Sequence, residues 1–517
     1  MIELTKSKNF TEEYCCSVVK VGTLEDVPNS DNLKRTRING ESIVVNKIDV
    51  QEGDVMLYVS NECQISDWFL SANNLYRHYI NNMNRGEVEA KLNQEPDFLS
   101  TSEGKKYVGY FEDTGRVRMI KLRGCPSFGV LFKPDALVKA LMVKGCVDSL
   151  GIDWTQFIGI DFDQIEVKHT SIMGDLKMSG CDETLLFVKP YVPKRNSSRY
   201  GHGHGMKGTA RWDRLDRMVP GQFKLHYDTA PLKKHLAEFR PSMRITATIK
   251  LHGTSFICGN VLTNTPLRFF KLRRWVNNLF GCELIKESRQ EYGMVVSSRK
   301  VIKNEWADTQ HPEGYYGVDI WTEYANIIFP YIPKGYTVYG EICGYLTGDS
   351  KMIQKDYDYG CRPGENFLMP YRVTKNVGGK VQELSIEEVG LFTAQMKAAM
   401  HDCEGYNAQV SRLCDIRHVR VYEGTIAKLL GYSGTATSAM PADAMEALPD
   451  ALANICSIEE REQLCTSHNV PREGVVIRIE DDEIPEAFKL KSLRFLEREQ
   501  KAIDKGEVDI EMQDNNQ

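Results

Sequence analysis

The run Met243-Arg244-Ile245-Thr246-Ala247-Thr248-Ile249-Lys250-Leu251-His252-Gly253-Thr254 is the point from which the rest of the chain can be read. Its β-branched residues suit a strand that ends at a lysine. Gly253 follows, where a residue without Cβ permits a tight turn and a close backbone approach. Three more segments stand downstream in order: Tyr339-Gly340-Glu341-Ile342, Glu473-Gly474-Val475-Val476 and Phe488-Lys489-Leu490-Lys491. Each places charge in or beside an apolar strand-like run. A lysine before a turn, or a glutamate beside a strand, is ordinarily a solvated surface group. Four such segments in this order and spacing would rarely arise from background sequence.

The chemistry follows from the residue types. A lysine attacks phosphorus only as the neutral amine, and its ordinary pKa is about 10.4. Burial and neighbouring cations lower that value. Lys489 and Lys491 are two apart and can face one side of a strand. Aimed at the pocket of Lys250, they would depress its pKa and neutralise a triphosphate. Glu341, between glycines at a strand end, can accept hydrogen bonds from ribose hydroxyls. Glu473 is the better metal candidate, since Mg²⁺ is commonly held by one or two carboxylates together with substrate phosphates. Ser297-Ser298-Arg299-Lys300 can deliver hydroxyls and a guanidinium to a phosphate or terminal ribose. Tyr371, in Phe367-Leu368-Met369-Pro370-Tyr371-Arg372-Val373, can stack on a base or belong to an ordinary core strand.

Composition bounds the answer. A length of 517 residues suits two to four domains. The net charge of −6 argues against non-specific wrapping of nucleic acid, but permits a local basic groove. No apolar run reaches the length of a membrane span, and the start has no signal-peptide segment. The 14 cysteines are scattered without a CxxC pair, which suits reduced, mostly buried thiols in an intracellular, by default cytoplasmic, protein.

Short strand candidates with polar turns fill 14–70, notably Val18–Val21, Ser42–Lys47 and Val55–Val59, and they suggest a small β-barrel. Residues 71–105 read as an insertion or helical excursion, and Pro134–Val143 as a short helix. In Val117–Gly124, basic and apolar residues alternate, with a slip of one residue between Arg118 and Lys121. A strand there puts Arg118, Lys121 and Arg123 near a surface, either as a solvated face or as contacts to RNA phosphates. Residues 196–216, with Gly-His-Gly-His-Gly, read as a linker in which His202 and His204 belong to a flexible joint rather than a metal site. A helix is expected over Tyr227–Phe239. Insertions are expected near 261–290, where interleaved basic and bulky residues suit either an amphipathic arm touching substrate, partner or membrane or a surface insertion packed on the body, and at 383–465, with helical character. Residues 501–517 read as a charged, flexible tail.

These residues resemble the covalent nucleotidyltransferase superfamily of polynucleotide ligases and mRNA capping enzymes. The likeness is closest to ATP-dependent RNA ligases of the Deinococcus type. It covers roughly 14–65, 106–195 and 236–500. In the first part it rests on Pro28-Asn29-Ser30-Asp31, Val44-Val45-Asn46-Lys47 and Gly115–Gly124. It implies an α+β protein: an N-terminal OB-type β-barrel domain over 1–195, then a nucleotidyltransferase domain over 217–500 with ATP-grasp-like antiparallel sheets and helices. By the resemblance, Lys250 is the adenylated lysine, and Arg299 lies near the substrate phosphate. Glu341 contacts the AMP ribose, Tyr371 stacks on adenine, Glu473 holds metal and phosphate, and Lys489 and Lys491 are the paired motif lysines. ATP and Mg²⁺ or Mn²⁺ are the implied cofactors. Nicked or template-bridged RNA ends are the implied substrate of a monomer. Ile249 stands where many relatives carry an acid, so recognition of the adenine amino group must rest elsewhere. Only 492–517 follow the last motif, too short for the C-terminal barrel of DNA ligases and capping enzymes. A capping guanylyltransferase and a non-catalytic RNA-binding protein on the same scaffold are the rival readings.

Overall fold

A computed structural model describes residues 2–146, 151–167, 183–193, 215–227, 229–307, 316–401, 413–432, 444–480 and 486–506. The segment read as a linker, with His202 and His204, lies almost wholly outside them, as do 507–517. The chain divides into two compact units, Met1–Pro193 and Lys194–Gln517.

In the first unit the strands fall into several small sheets. The largest has the order β10 (Val130–Phe132), β6 (Val55–Val59), β2 (Cys16–Lys20) and β11 (Asp161–Phe162). Two three-stranded sheets are β1 (Ile2–Thr5), β12 (Gln164–Val167), β13 (Glu183–Leu186) and β3 (Glu25–Asp26), β4 (Leu33–Ile38), β5 (Glu41–Asn46). Two hairpin-sized pairs are β7 (Cys63–Ile65) with β14 (Val188–Pro190), and β8 (Ile120–Leu122) with β9 (Cys125–Ser127). The expected OB-type barrel is therefore absent. The edge strands β10 and β11 of the largest sheet do not pair with each other, so it stays open, and closure is what defines a barrel. Short strand-like runs located β2, β5 and β6, but they do not encode partners: β2 pairs with β6, while β5 turns back on β4.

Around these sheets pack α1 (Asp67–Ala72), the exposed excursion α2 (Arg85–Gln94) and α3 (Pro134–Val143). The α3 residues Leu137, Val138, Ala140 and Leu141 are buried in the unit's core with Phe69, Phe132 and Phe187. The expected strand over Val117–Gly124 shortens to β8: Val117 bonds instead to the backbone of Glu62 and Cys63, and Arg123 and Gly124, both with positive φ (52° and 84°), close a tight hairpin turn.

The second unit holds two five-stranded sheets. Sheet one runs β15 (Ala230–Pro231), β24 (Ala487–Lys491), β23 (Gly474–Ile479), β16 (Arg244–Lys250) and β22 (Arg420–Thr425). Sheet two runs β18 (Ser288–Ser297), β17 (Thr254–Pro266), β19 (Tyr336–Gly344), β20 (Asn366–Val377) and β21 (Lys380–Glu383). All pairs are antiparallel except β15 with β24. Helices α4 (Phe270–Phe280), α5 (Ile320–Ile328), α6 (Ile386–His401), α7 (Ile426–Leu429), α8 (Leu448–Ile455) and α9 (Leu493–Asp504) complete it. Alternation along β16 sends Ile245, Ala247 and Ile249 into one core, shared with Phe256, Cys258, Val338 and Ile342 of sheet two. The helix expected over Tyr227–Phe239 is not formed. Pro231 joins the edge strand β15, and two 3₁₀ turns, Leu232–Lys234 and Leu236–Glu238, follow. Leu232 and Phe239 are nonetheless buried, so the apolar spacing marked packing rather than a helix.

Candidate functional site

Lys250 is the last residue of β16, and its side chain is 21% exposed. Its Nζ lies 2.7 Å from Oε1 of Glu473, whose side chain is only 4% exposed. Glu473 directly precedes β23, and the register Lys250↔Gly474 brings the two together. Glu473 Oε2 has no hydrogen-bond partner, and His252 Nδ1 stands 3.6 Å away. The resting arrangement is thus an ion pair that must open before the amine can react.

Lys489 and Lys491 lie two strands away in the same sheet. The register continues Lys250↔Gly474↔Lys491 and, one step along the face, Thr248↔Val476↔Lys489. Cross-strand partners share a face, as do residues two apart on a strand, so the three lysines point to one side. With neighbouring strands about 4.8 Å apart, Lys250 and Lys491 are about 10 Å apart at the backbone. Lys491 Nζ also reaches Glu499 of α9 at 3.4 Å. Gly474 is fixed by this close pairing: a Cβ there would lie 2.1 Å from the Leu490 carbonyl oxygen and 2.8 Å from Lys491 Cα.

The turn after Lys250 is braced from sheet two. Gly253 N–H donates to Glu341 Oε1 at 3.0 Å, and its carbonyl accepts from Gln354 Nε2 at 2.8 Å. A Cβ at Gly253 would sit 2.4 Å from the Ile342 carbonyl oxygen. The glycine therefore serves close approach to β19. Glu341 pairs in register with Ser255, whose carbonyl accepts from Trp321 Nε1 of α5 at 3.0 Å. Arg299 follows β18 in a bend at the same end of sheet two, since Ser297 pairs with Ile257 near the start of β17. Tyr371 occupies a β-bulge. Tyr339 pairs with Arg372 and Gly340 with Pro370, which leaves Tyr371 as the extra residue, a device that re-aims a side chain. Arg118, Lys121 and Arg123 are exposed and belong to the first unit.

Two features escaped the sequence reading. The first is the loop between β19 and β20. Tyr359 Oη accepts from His252 N–H at 2.7 Å, and the His252 ring packs edge-on against Tyr357 and Phe495, each at 5.0 Å. Asp356 pairs with Arg498 of α9 at 2.6 Å. Asp358 is fully buried, which raises its pKa. Backbone donors at Gly360, Thr466 and Ser467 outweigh that and bring it down to about 2. The dense Asp356-Tyr357-Asp358-Tyr359-Gly360 run was the available signal.

The second is a buried charge cluster roughly 13 Å along β23 from the Lys250 row. Arg372 of β20 and Arg478 of β23 both meet Glu383 Oε1 of β21, at 2.7 and 3.1 Å. Glu383 Oε2 and the Nε and Nη1 of Arg478 have no hydrogen-bond partner. Burial pulls the Arg478 guanidinium below its usual value and pushes Glu480 up. The side chains are distant in sequence, so no local pattern announces the cluster.

Among the described residues no cluster of three or more His, Cys, Asp or Glu side chains could by itself hold a metal. The buried, unpartnered Glu473 Oε2 still suits a hard divalent ion whose remaining ligands come from phosphates and water. Every described cysteine is a free thiol. No described helix is long and apolar enough to cross a membrane.

No protein-family model matches the sequence, and no curated protein matches it. Among solved structures, the chain is similar to Naegleria gruberi RNA ligase with pyrophosphate. The identity is 14%, the match covers 95% of this chain and 100% of that one, and the TM-score is 0.47. It is also similar to a variant of that ligase with ATP and Mn, at 14% identity, 93% and 98% coverage and a TM-score of 0.47. A further variant with AMP and Mn matches at 13% identity, with the same coverage and a TM-score of 0.46.

Proposed function

We propose that this chain is an ATP-dependent RNA ligase that works through a lysyl-AMP intermediate. The observation that carries the reading is the convergence on one sheet face of Lys250, its partner Glu473 at 2.7 Å, and Lys489 and Lys491 in the adjoining register rows. The Lys250 amine, once deprotonated, forms a bond to the α-phosphorus of ATP, and the bond to pyrophosphate breaks. AMP then passes to an RNA 5′-phosphate and frees Lys250. An RNA 3′-hydroxyl attacks that activated phosphate, the phosphodiester forms, and AMP leaves.

Lys489 and Lys491 supply fixed positive charge for the triphosphate and for charge that grows on the leaving group. Glu341 anchors the Gly253 turn through Oε1 and is the proposed acceptor for a ribose hydroxyl. The bulged Tyr371 supplies a base-stacking ring, and Arg299 a contact to the end phosphate. Mg²⁺ or Mn²⁺, held on Glu473 and phosphate oxygens, would screen the triphosphate and compete with Lys250 for the carboxylate. Arg118, Lys121 and Arg123 are proposed RNA phosphate contacts, which makes sealing salt-sensitive.

The test is incubation with α-labelled ATP or α-labelled GTP, followed by a gel assay on nicked RNA and nicked DNA duplexes. The reading expects acid-stable label from ATP, its loss in Lys250→Ala, and sealing that requires RNA at the 3′-hydroxyl end. Preferential labelling by GTP would move the assignment to a capping-type guanylyltransferase. No covalent label from either nucleotide would end the catalytic reading.

A further inference from the structure

The strands β17 and β18 stay paired from Ile257↔Ser297 to Pro266↔Ser288, whereas β19 accompanies β17 only as far as Gly259. The pair thus runs on as a ribbon beyond the sheet, and α4 sits at its tip. This helix is built inside out. Its one buried residue is Asn277, whose side chain accepts from the backbone N–H groups of Leu284 and Ile285 and donates to Ile285 O and Glu287 Oε1. Arg274 pairs with Glu287 at 2.7 Å, and Arg273 donates to the carbonyls of Arg268 and Lys286. Polar groups therefore hold the helix to its own return loop. Meanwhile Phe269, Leu272, Trp275, Leu279, Phe280 and Leu284 are each 57–66% exposed. Single exposed apolar residues are ordinary, but a contiguous stripe of aromatic and aliphatic side chains marks a binding face.

We propose that α4 and its flanks dock on an anionic lipid surface, lying in the plane of the headgroups. The charge is complementary: residues 266–289 hold six Lys or Arg and two Glu in a chain of net charge −6. Arg268, Lys271, Lys286 and Arg289 are exposed beside the apolar stripe. Basic residues flanking an exposed stripe of Phe, Trp and Leu, on a helix far short of a span, suit an element that lies in a bilayer interface. RNA suits the face less well, because the aliphatic Leu272, Leu279 and Leu284 can neither stack on bases as aromatics do nor pair with phosphates. The proposal does not depend on the ligase reading.

The test is flotation of the full chain with phosphatidylcholine vesicles made with and without phosphatidylserine. Wild type should float with the serine-lipid vesicles and about tenfold less with phosphatidylcholine alone. The double substitution Leu272→Asp and Trp275→Asp should abolish flotation with an unchanged melting temperature, since both side chains already face water. Arg268→Gln with Lys271→Gln should cut flotation about tenfold and shrink the difference between vesicle types. Nucleotide labelling of Lys250 should be the same in all three proteins. Absence of wild-type flotation, or flotation equal in wild type and both variants, overturns the proposal. So does a wild-type protein that fails to float while the apolar double variant loses RNA affinity or dissociates a dimer; those results assign the face to RNA or to a second copy.

Discussion

Two of the second unit's buried carboxylates with cationic partners, Glu473 and Glu383, behave as opposites. Glu473 faces a lysine that is 21% exposed, whereas Glu383 faces two arginines that are 7% and 5% exposed. A lysine is a point charge that can give up its proton; an arginine is charged at any ordinary pH and binds through a rigid fork. The lysine pair joins two neighbouring strands of one sheet at the strand end. The arginine cluster joins β23 of sheet one to β20 and β21 of sheet two. The same kind of interaction thus serves, in the proposed reading, as a reactive centre at one place and as a fixed strut at the other. The difference lies in which cation is used and how much water reaches it.

Substitutions at the two places should separate these roles. Lys250→Ala should reduce nucleotide labelling and strand sealing below detection, while moving the urea unfolding midpoint far less than a change at Glu383. A variant that keeps labelling would erase the contrast from the reactive side. Glu383→Ala leaves Arg372 and Arg478 buried without their common partner, and should cost about 3–5 kcal/mol in urea unfolding. A loss under about 1 kcal/mol would remove the strut from the account.

Strand existence in this unit was legible, and so was the shared face of Lys489 and Lys491. The run to Lys250 forms β16 as the β-branched pattern implied, and the two-residue spacing of Lys489 and Lys491 does put them on one face. What the sequence did not disclose was long-range. Glu383 meets Arg478 only through the packing of two sheets, and Asp358 is held by residues more than a hundred positions away. The small sheets of the first unit illustrate the same limit. Short apolar runs between polar turns found β2 and β6, but nothing local said that the sheet they form would remain open at β10 and β11. Tyr227–Phe239 failed differently, because helical spacing also arises when irregular chain buries every third or fourth residue.

Smaller effects should sharpen the comparison around Lys250. Gly253→Ala forces a Cβ to within 2.4 Å of the Ile342 carbonyl oxygen, so backbone must move. The expected cost is about 1–3 kcal/mol of stability together with slower labelling; an alanine variant that labels at the wild-type rate would show that the turn geometry is immaterial. Asp358→Asn should act through pH. The Asp358 carboxyl is lowered from 3.8 to about 2, so its stabilisation is complete above 3.8 and fades as the pH falls through about 2. The wild type should therefore exceed the variant by about 1–2 kcal/mol at neutral pH, with the gap closing in acid. A gap that stays constant from neutral pH to pH of about 2 would contradict the assigned contacts.

The most direct test of the central claim is peptide mass spectrometry on the full chain after incubation with ATP and Mg²⁺. The account predicts one AMP, linked through an amine to the peptide containing Lys250, and none on that peptide in Lys250→Arg. An AMP adduct mapped to another residue, or retained in full by Lys250→Arg, would contradict it.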